Sequence, residues 1–211
     1  MIIDEDKIIA NLTIEYFPLS NFVNMPYLVV NKKNRGKKLS KLLFEEAFKE
    51  LEIKSKERQK MIYNNATDGR IPELMKFFNL SSSEEMWEII KNFEPHYCLE
   101  SEFENEFDPI MDPLDRLKIY DKIGFKIVDM DYILPPISDS LKPVHLYFLT
   151  ATKFCLKDEN GEFYIGSNNL KTFYWEFSHI LSPLKYLNSE DFHQVINSIS
   201  KGNVSLKMIK F

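Results

Sequence analysis

One stretch of this chain, Met25–Lys49, constrains the fold more than any other. It opens with the apolar run Tyr27–Val30, in which β-branched and aromatic residues predominate, and such runs are typical of buried strands. Four polar residues, Asn31–Asn34, interrupt it, and apolar side chains then recur at helical spacing as far as Phe48. The stretch therefore predicts a strand, a tight polar turn and a helix that begins at about Lys37.

The start of that helix is a candidate binding site for an anion. The first turn of a helix exposes backbone N–H groups without intrahelical partners, at the positive end of the helix dipole, which suits a phosphate or a pyrophosphate. Arg35, Lys37 and Lys38 add positive charge. The alternative interpretation is a basic, capped helix start that binds nothing.

The composition excludes several classes of protein. With 211 residues and 44% hydrophobic content, the chain can bury one sizeable core, and its net charge of −5 argues against a protein that coats nucleic acid. Two cysteines are too few for a disulfide framework, and the Cys and His residues lack metal-ligand spacing. The acidic start of the chain does not resemble a signal peptide, and no apolar run has the length of a membrane span. We therefore expect a cytoplasmic protein that binds neither metal, nucleic acid nor membrane.

A second helix has clear start and stop signals. Asp112 can cap its N-terminus with Pro113 at the first helical position, and Gly124 can adopt the left-handed conformation that ends a helix. Phe125 then begins another predicted strand. This spacing places Tyr120 in the last turn of the helix.

The other segments complete a fold of the α/β (α+β) class, with a mixed, mostly antiparallel central sheet flanked by helices. The predicted strands lie at 1–4, 7–17, 96–103, 125–135, 144–154 and 204–211, and the other predicted helices at 73–79, 83–93, 168–180 and 189–201. Ser82 and Glu85 have capping-box spacing at the start of one of these helices. Residues 19–25 are predicted to be a loop that leads into the central strand.

Two of these segments together resemble the GCN5-related N-acetyltransferase (GNAT) family. Arg35–Lys37 fits the start of the family's phosphate-loop pattern, Arg/Gln-x-x-Gly-x-Gly/Ala, and Val30 has the spacing of the strand Val that precedes it. Ile119–Phe125 is similar to the second family signature, Phe-Tyr-x-x-x-Gly-Phe. Lys38 and Ser40 stand where the first pattern has its two glycines.

The resemblance covers roughly residues 1–154, with residues 64–94 as a helical insertion because helix-to-strand connections are usually far shorter. Residues 155–211 are predicted to be a C-terminal helical appendage packed on this GNAT-like domain. The resemblance implies an enzyme that transfers the acetyl group of acetyl-CoA to a primary amine by direct attack in a ternary complex.

The resemblance also assigns the cofactor-binding residues. Backbone N–H groups at the helix start would hold the pyrophosphate, and the pantetheine and acetyl groups would lie on a strand that opens away from its neighbour. The cofactor-binding residues are then Leu28, Val29, Val30, Arg35, Gly36, Lys37, Lys38, Leu39, Ser40 and Lys41.

By the same resemblance, Tyr120 is the general acid that protonates the departing thiolate of coenzyme A. A residue that only packs at a helix end is the alternative. Glu100 and Glu102 share one face of the predicted strand and are candidate general bases, and equally candidates for surface acids or for groups that bind the acceptor. Acidic residues there favour a cationic acceptor, either a small molecule or a peptide amine.

The strand and two helices that precede the first hairpin in the family have no counterpart here. We expect an exposed sheet edge that a second copy of the chain, or another subunit, covers. Together with the altered glycines, this motivates an alternative function: a degenerate, non-catalytic module that binds a partner protein or coenzyme A. An enzyme that needs a second chain to complete its acceptor site is a third interpretation.

Overall fold

A computed structural model describes residues 1–65, 69–90, 95–103, 111–138, 140–182, 184–199 and 202–209. Its strands are β1 (Ile2–Asp4), β2 (Lys7–Phe17), β3 (Phe22–Val30), β4 (His96–Ser101), β5 (Phe125–Val128), β6 (Ile133–Leu134), β7 (Val144–His145), β8 (Tyr147–Ala151), β9 (Leu156–Lys157), β10 (Phe163–Gly166) and β11 (Asn203–Lys207). Its helices are α1 (Leu39–Asn65), α2 (Ile71–Phe78), α3 (Ser83–Ile90), α4 (Pro113–Ile123), α5 (Ser167–Leu181) and α6 (Glu190–Ser198).

Nine of these strands form one sheet in the order β1-β2-β3-β4-β8-β5-β11-β10-β9, and β6 pairs with β7 separately. Among the described residues, the pair β3–β4 is parallel and all other neighbouring strands are antiparallel. The sheet is therefore mixed and mostly antiparallel, and helices flank it. This confirms the predicted fold class.

Helices cover both faces of the sheet. On one face α1 and α4 enclose a buried cluster that includes Phe44, Tyr97 and Phe125. α1 follows β3 and α4 directly precedes β5, so each lies in a connection between strands that run in the same direction. On the other face α2, α3, α5 and α6 enclose a second cluster built around Phe22 and Phe173.

The central strand is longer than predicted, because β3 begins at Phe22 rather than within the apolar run. The prediction of a loop at residues 19–25 is wrong. Asn21 adopts a left-handed conformation with φ of 54° and closes a tight turn, so that β2 and β3 stay paired as far as Phe17 and Phe22. Burial of both phenylalanine rings stabilises the extended hairpin.

The C-terminal segment belongs to the same sheet and core. β11, β10 and β9 continue the sheet beyond β5, and most of α5 is buried. Glu176 of α5 accepts hydrogen bonds from the backbone N–H groups of Leu19 and Ser20, and its carboxylate lies 3.1 Å from Arg70. The helix therefore closes over the turn between β2 and β3. The division of the chain at residue 154 stays a prediction.

Candidate functional site

The parallel strands β3 and β4 separate partway along their length. They pair in register at Phe22–Asn24 and His96–Cys98. Beyond that point β3 pairs with β2 on its other side, and β4 pairs with β8. Within the described residues, the backbone of Leu28–Val30 therefore has no strand partner on the side of β4. The opening expected from the resemblance is present at this place.

The opening and the start of α1 lie at one edge of the sheet. β3 and β4 are parallel, and β5 runs in the same direction as β4 because both are antiparallel to β8. The C-terminal ends of all three strands therefore meet at the same edge. The loop that leads into α1 leaves the sheet there, directly after β3.

Two basic side chains of this loop donate hydrogen bonds to residues that precede them by three to five positions. The Arg35 guanidinium donates a hydrogen bond from Nε to the carbonyl of Val30, over 3.4 Å, and the Lys37 ammonium donates to Oδ1 of Asn34, over 2.7 Å. Lys38 is exposed. The predicted basic residues thus lie together beside the helix start, and two of them fix the loop conformation.

The helix starts two residues later than predicted, at Leu39, because Lys38 has a φ of 60° and cannot be part of a right-handed helix. The Lys38 carbonyl accepts a hydrogen bond from the N–H of Leu42 over 3.2 Å. Gly36, with a φ of 79°, also lies in the left-handed region. Lys38 therefore has a backbone conformation that favours glycine. Glycine is also the residue that the GNAT phosphate-loop pattern has at this position.

Replacing Lys38 by glycine is expected to stabilise the fold. Relief of the left-handed strain outweighs the extra freedom that glycine gives the unfolded chain, for a net gain of about 0.5–1 kcal/mol. Urea unfolding of the Lys38→Gly variant measures this gain. Lys38→Ala is the matched control, since it removes the same charge and keeps a Cβ in the left-handed region. A gain of equal size in both variants would mean that charge, and not strain, is responsible.

Tyr120 lies on α4 in the same buried cluster as Met25 and Leu99, which flank the opening between β3 and β4. It is 9% exposed, and burial raises its pKa to about 12. Among the described residues, none forms a hydrogen bond with its hydroxyl. The phenol therefore stays protonated at neutral pH and keeps its proton available for donation.

The two candidate carboxylates have separate surroundings. Glu100 contacts Tyr132, in the cluster under α5, whereas Glu102 forms an ion pair with Arg116 of α4. The prediction that both share one strand face is wrong, because β4 ends at Ser101 and the alternation of side chains ends with it. Whether either carboxylate acts as a base stays a prediction.

Glu100 has the environment of a weak acid. Its Oε1 accepts a hydrogen bond from the Tyr132 hydroxyl over 2.7 Å. Burial raises the pKa of the Glu100 carboxyl to about 7, the hydrogen bond from Tyr132 opposes this shift, and the charge of Glu15 adds to it. A carboxyl that titrates near neutral pH is suited to accept and release a proton.

Three residues near Glu100 were not predicted from the sequence: Glu15, Asn24 and Tyr132. Nδ2 of Asn24 donates to Oε2 of Glu15 over 3.5 Å, while its buried Oδ1 has no hydrogen-bond partner within the described part of the chain. The register of β2 and β3 places Glu15 opposite Asn24. A correct hairpin register would have identified this pair, but Tyr132 reaches Glu100 only through the tertiary fold.

Replacing Glu100 by glutamine is expected to change the pH dependence of stability. Between pH 4.5 and about 7, the folded protein keeps the Glu100 proton and the unfolded chain has lost it, so wild-type stability falls as the pH rises. The shift from 4.5 to about 7 corresponds to about 3 kcal/mol. Glu100→Gln should therefore gain up to that amount relative to wild type between pH 4.5 and pH 8, measured by urea unfolding. A constant difference between the two proteins across this range would contradict the raised pKa.

The described residues contain no group of three or more His, Cys, Asp or Glu side chains arranged to hold a metal ion. In the same part of the chain, no helix combines the length and the apolar character needed to cross a membrane.

Comparison with known proteins gives one distant match. No family model and no curated protein matches the chain. Among solved structures, a proposed acetyltransferase of the GNAT family from Bacteroides thetaiotaomicron is similar, with a TM-score of 0.37 and 17% sequence identity. The match covers 71% of this chain and 58% of that one, so the chain spans less than two thirds of the structure that it matches. A likeness at this level establishes neither family nor activity.

Proposed function

We propose that this protein is an N-acetyltransferase that transfers the acetyl group of acetyl-CoA to a primary amine by direct attack. The observation that carries the proposal is the opening between the parallel strands β3 and β4, with the start of α1 at its edge and Tyr120 buried beside it. A phosphate-binding helix start, an open strand and a proton donor are the parts that such a transfer needs.

The residues around the opening are compatible with acetyl-CoA as co-substrate. N–H groups of Leu39–Lys41, in the first turn of α1, would hold the pyrophosphate, and the unpaired edge of Leu28–Val30 would bind the pantetheine arm. Gly36 leaves space near the loop, since no atom beyond its two chain neighbours lies within 4 Å of where its Cβ would be. When bound, acetyl-CoA supplies the acetyl thioester.

The side chains at the opening would move the protons. Tyr120 would donate its hydroxyl proton to the leaving thiolate, which makes the carbon–sulfur bond easier to break. Glu100, on the other face of the sheet, would take a proton from the acceptor's ammonium group, directly or through a water molecule, and the neutral amine would then attack the thioester carbon. The role of Glu102 would be to pair with Arg116 and hold the end of β4 against α4.

Two measurements test the proposal. Calorimetric titration with acetyl-CoA detects binding, and the appearance of free thiol over a panel of primary amines detects transfer. We expect both, with cationic amines favoured by the acidic surroundings. Binding should be lost when a proline replaces Ser40, because proline removes one N–H of the first turn. Thiol release that is equally fast with and without an amine would indicate hydrolysis and contradict acetyl transfer.

A non-catalytic module that binds coenzyme A or a partner protein is the second candidate. Lys38 and Ser40 at the two glycine positions favour it, because side chains there crowd an approaching phosphate. Acetyl-CoA binding without thiol release for any amine would favour this module over the enzyme. Binding that becomes tighter in Lys38→Gly would show that the lysine limits access to the site.

Assembly with a second copy is also part of the proposal. β1 forms one edge of the sheet, and Met1 and Ile3 are 65% and 60% exposed there. Pairing of two such edges would bury these side chains and satisfy the free backbone groups. Sedimentation of the purified chain at several concentrations tests this arrangement.

A further inference from the structure

A large cavity lies at the edge of the sheet where β5 ends and β8 begins. Its volume is about 790 Å³, within the range of small-molecule sites. One part of its wall is apolar and aromatic, and includes Phe103, Leu117, Ile127, Leu146 and Tyr147. Phe103 and Tyr147 contact each other edge to face, with ring centroids 4.6 Å apart.

The C-terminal segment completes this cavity. Met208 and Ile209 line it, directly after β11, and Gln194 of α6 contributes a polar group. Asp129 and Lys207 form an ion pair at the cavity wall. Asp131 and His145 also line the cavity, so its wall combines charged and polar groups with an apolar part.

Tyr132 connects this cavity to the candidate site. It lines the cavity, and its hydroxyl donates the 2.7 Å hydrogen bond to Glu100. The cavity also lies at the same sheet edge as the opening between β3 and β4, because β3, β4 and β5 all end there. A ligand in the cavity would thus lie near the Asp129 and Asp131 carboxylates of the wall, and the Glu100 carboxyl would lie behind Tyr132.

From this arrangement we infer that the cavity binds the apolar part of the acceptor, and that the acceptor is a primary amine with an aromatic or branched aliphatic body. The inference rests on the proposed acetyl transfer and specifies its substrate class. The ammonium group would face Tyr132 and Glu100, while the apolar body would contact Leu146, Ile127 and Tyr147. Amines with an apolar body would bind more tightly than small amines without one, because only the former would use the apolar part of the wall.

A calorimetric binding experiment with three probes tests this inference on the full chain. 2-Phenylethylamine should bind about tenfold or more tightly than ethylamine, because its ring buries apolar surface in the cavity. It should also bind more tightly than 2-phenylethanol, which lacks the ammonium group. Equal affinity for ethylamine and 2-phenylethylamine would overturn the inference, and this comparison needs no variant.

Two variants localise the binding. Leu146→Trp fills the cavity and should weaken 2-phenylethylamine binding about tenfold or more, by removing the space for the ring. Lys153→Trp is the control, because Lys153 lines a smaller cavity at the opposite edge of the sheet, beside Gly124. We expect it to leave the affinity unchanged. Unchanged affinity in Leu146→Trp, with folding verified by thermal unfolding, would place the probe elsewhere and overturn the inference.

Thiol release separates this inference from the proposed function. Release with ethylamine and 2-phenylethylamine at equal kcat/KM would support acetyl transfer and overturn the acceptor class. Binding of 2-phenylethylamine in the cavity without thiol release for any amine would support the cavity as an amine site and contradict the transferase. Release that favours 2-phenylethylamine, and loses that preference in Leu146→Trp, supports both.

Discussion

The Tyr120→Phe variant is expected to release thiol about 10²–10⁴ times more slowly than wild type, the range that general acid catalysis contributes. Phenylalanine preserves the ring packing against Phe125 and removes only the hydroxyl proton. Acetyl-CoA affinity and thermal stability should therefore stay close to the wild-type values. Steady-state thiol release with a reactive amine, together with calorimetry of acetyl-CoA binding, measures the two effects separately.

Tyr164→Phe is the control for this substitution, because Tyr164 lies on β10, far along the sheet from the opening. Removing its hydroxyl should leave kcat unchanged. Full turnover in Tyr120→Phe would contradict the assignment of Tyr120 as the acid. Equal losses of turnover in both variants would point to a general effect on folding.

Removing the carboxylate of Glu176 is expected to lower the free energy of unfolding by about 3–5 kcal/mol, as for other buried ion pairs that lose one partner. Glu176 is fully buried and binds Arg70, two backbone N–H groups and the Ser20 hydroxyl, which donates over 2.9 Å. In Glu176→Ala the N–H groups of Leu19 and Ser20 lose their acceptor inside the protein. Urea unfolding followed by circular dichroism measures the loss.

Glu162→Ala is the control for charge removal, because Glu162 is an exposed carboxylate at the turn before β10. Its effect on unfolding should stay within about 0.5 kcal/mol. A Glu176→Ala variant that unfolds at the same urea concentration as Glu162→Ala would show that α5 does not hold the turn between β2 and β3.

The local signals of the sequence predicted the helix ends well. Asp112 caps α4 by accepting the N–H of Leu114 over 2.8 Å, and Gly124 ends that helix with a φ of 101°. Ser82 and Glu85 form the predicted reciprocal capping contacts. Each of these interactions joins residues within a few positions of one another, so the pattern of residue types is sufficient to identify it.

The sequence alone therefore determined the class of the fold, the strand–turn–helix at the centre and the place of Tyr120 in the last turn of its helix. Only the tertiary structure decided that β3 and β4 separate, that Glu100 faces Tyr132, and that the C-terminal strands extend the same sheet. Helix caps and apolar periodicity act over a few residues. The environment of Glu100 depends on which distant segments pack together. The same is true of the hydrogen bond from the Leu19 N–H to Glu176, which joins residues 157 positions apart. No local residue pattern encodes that pairing.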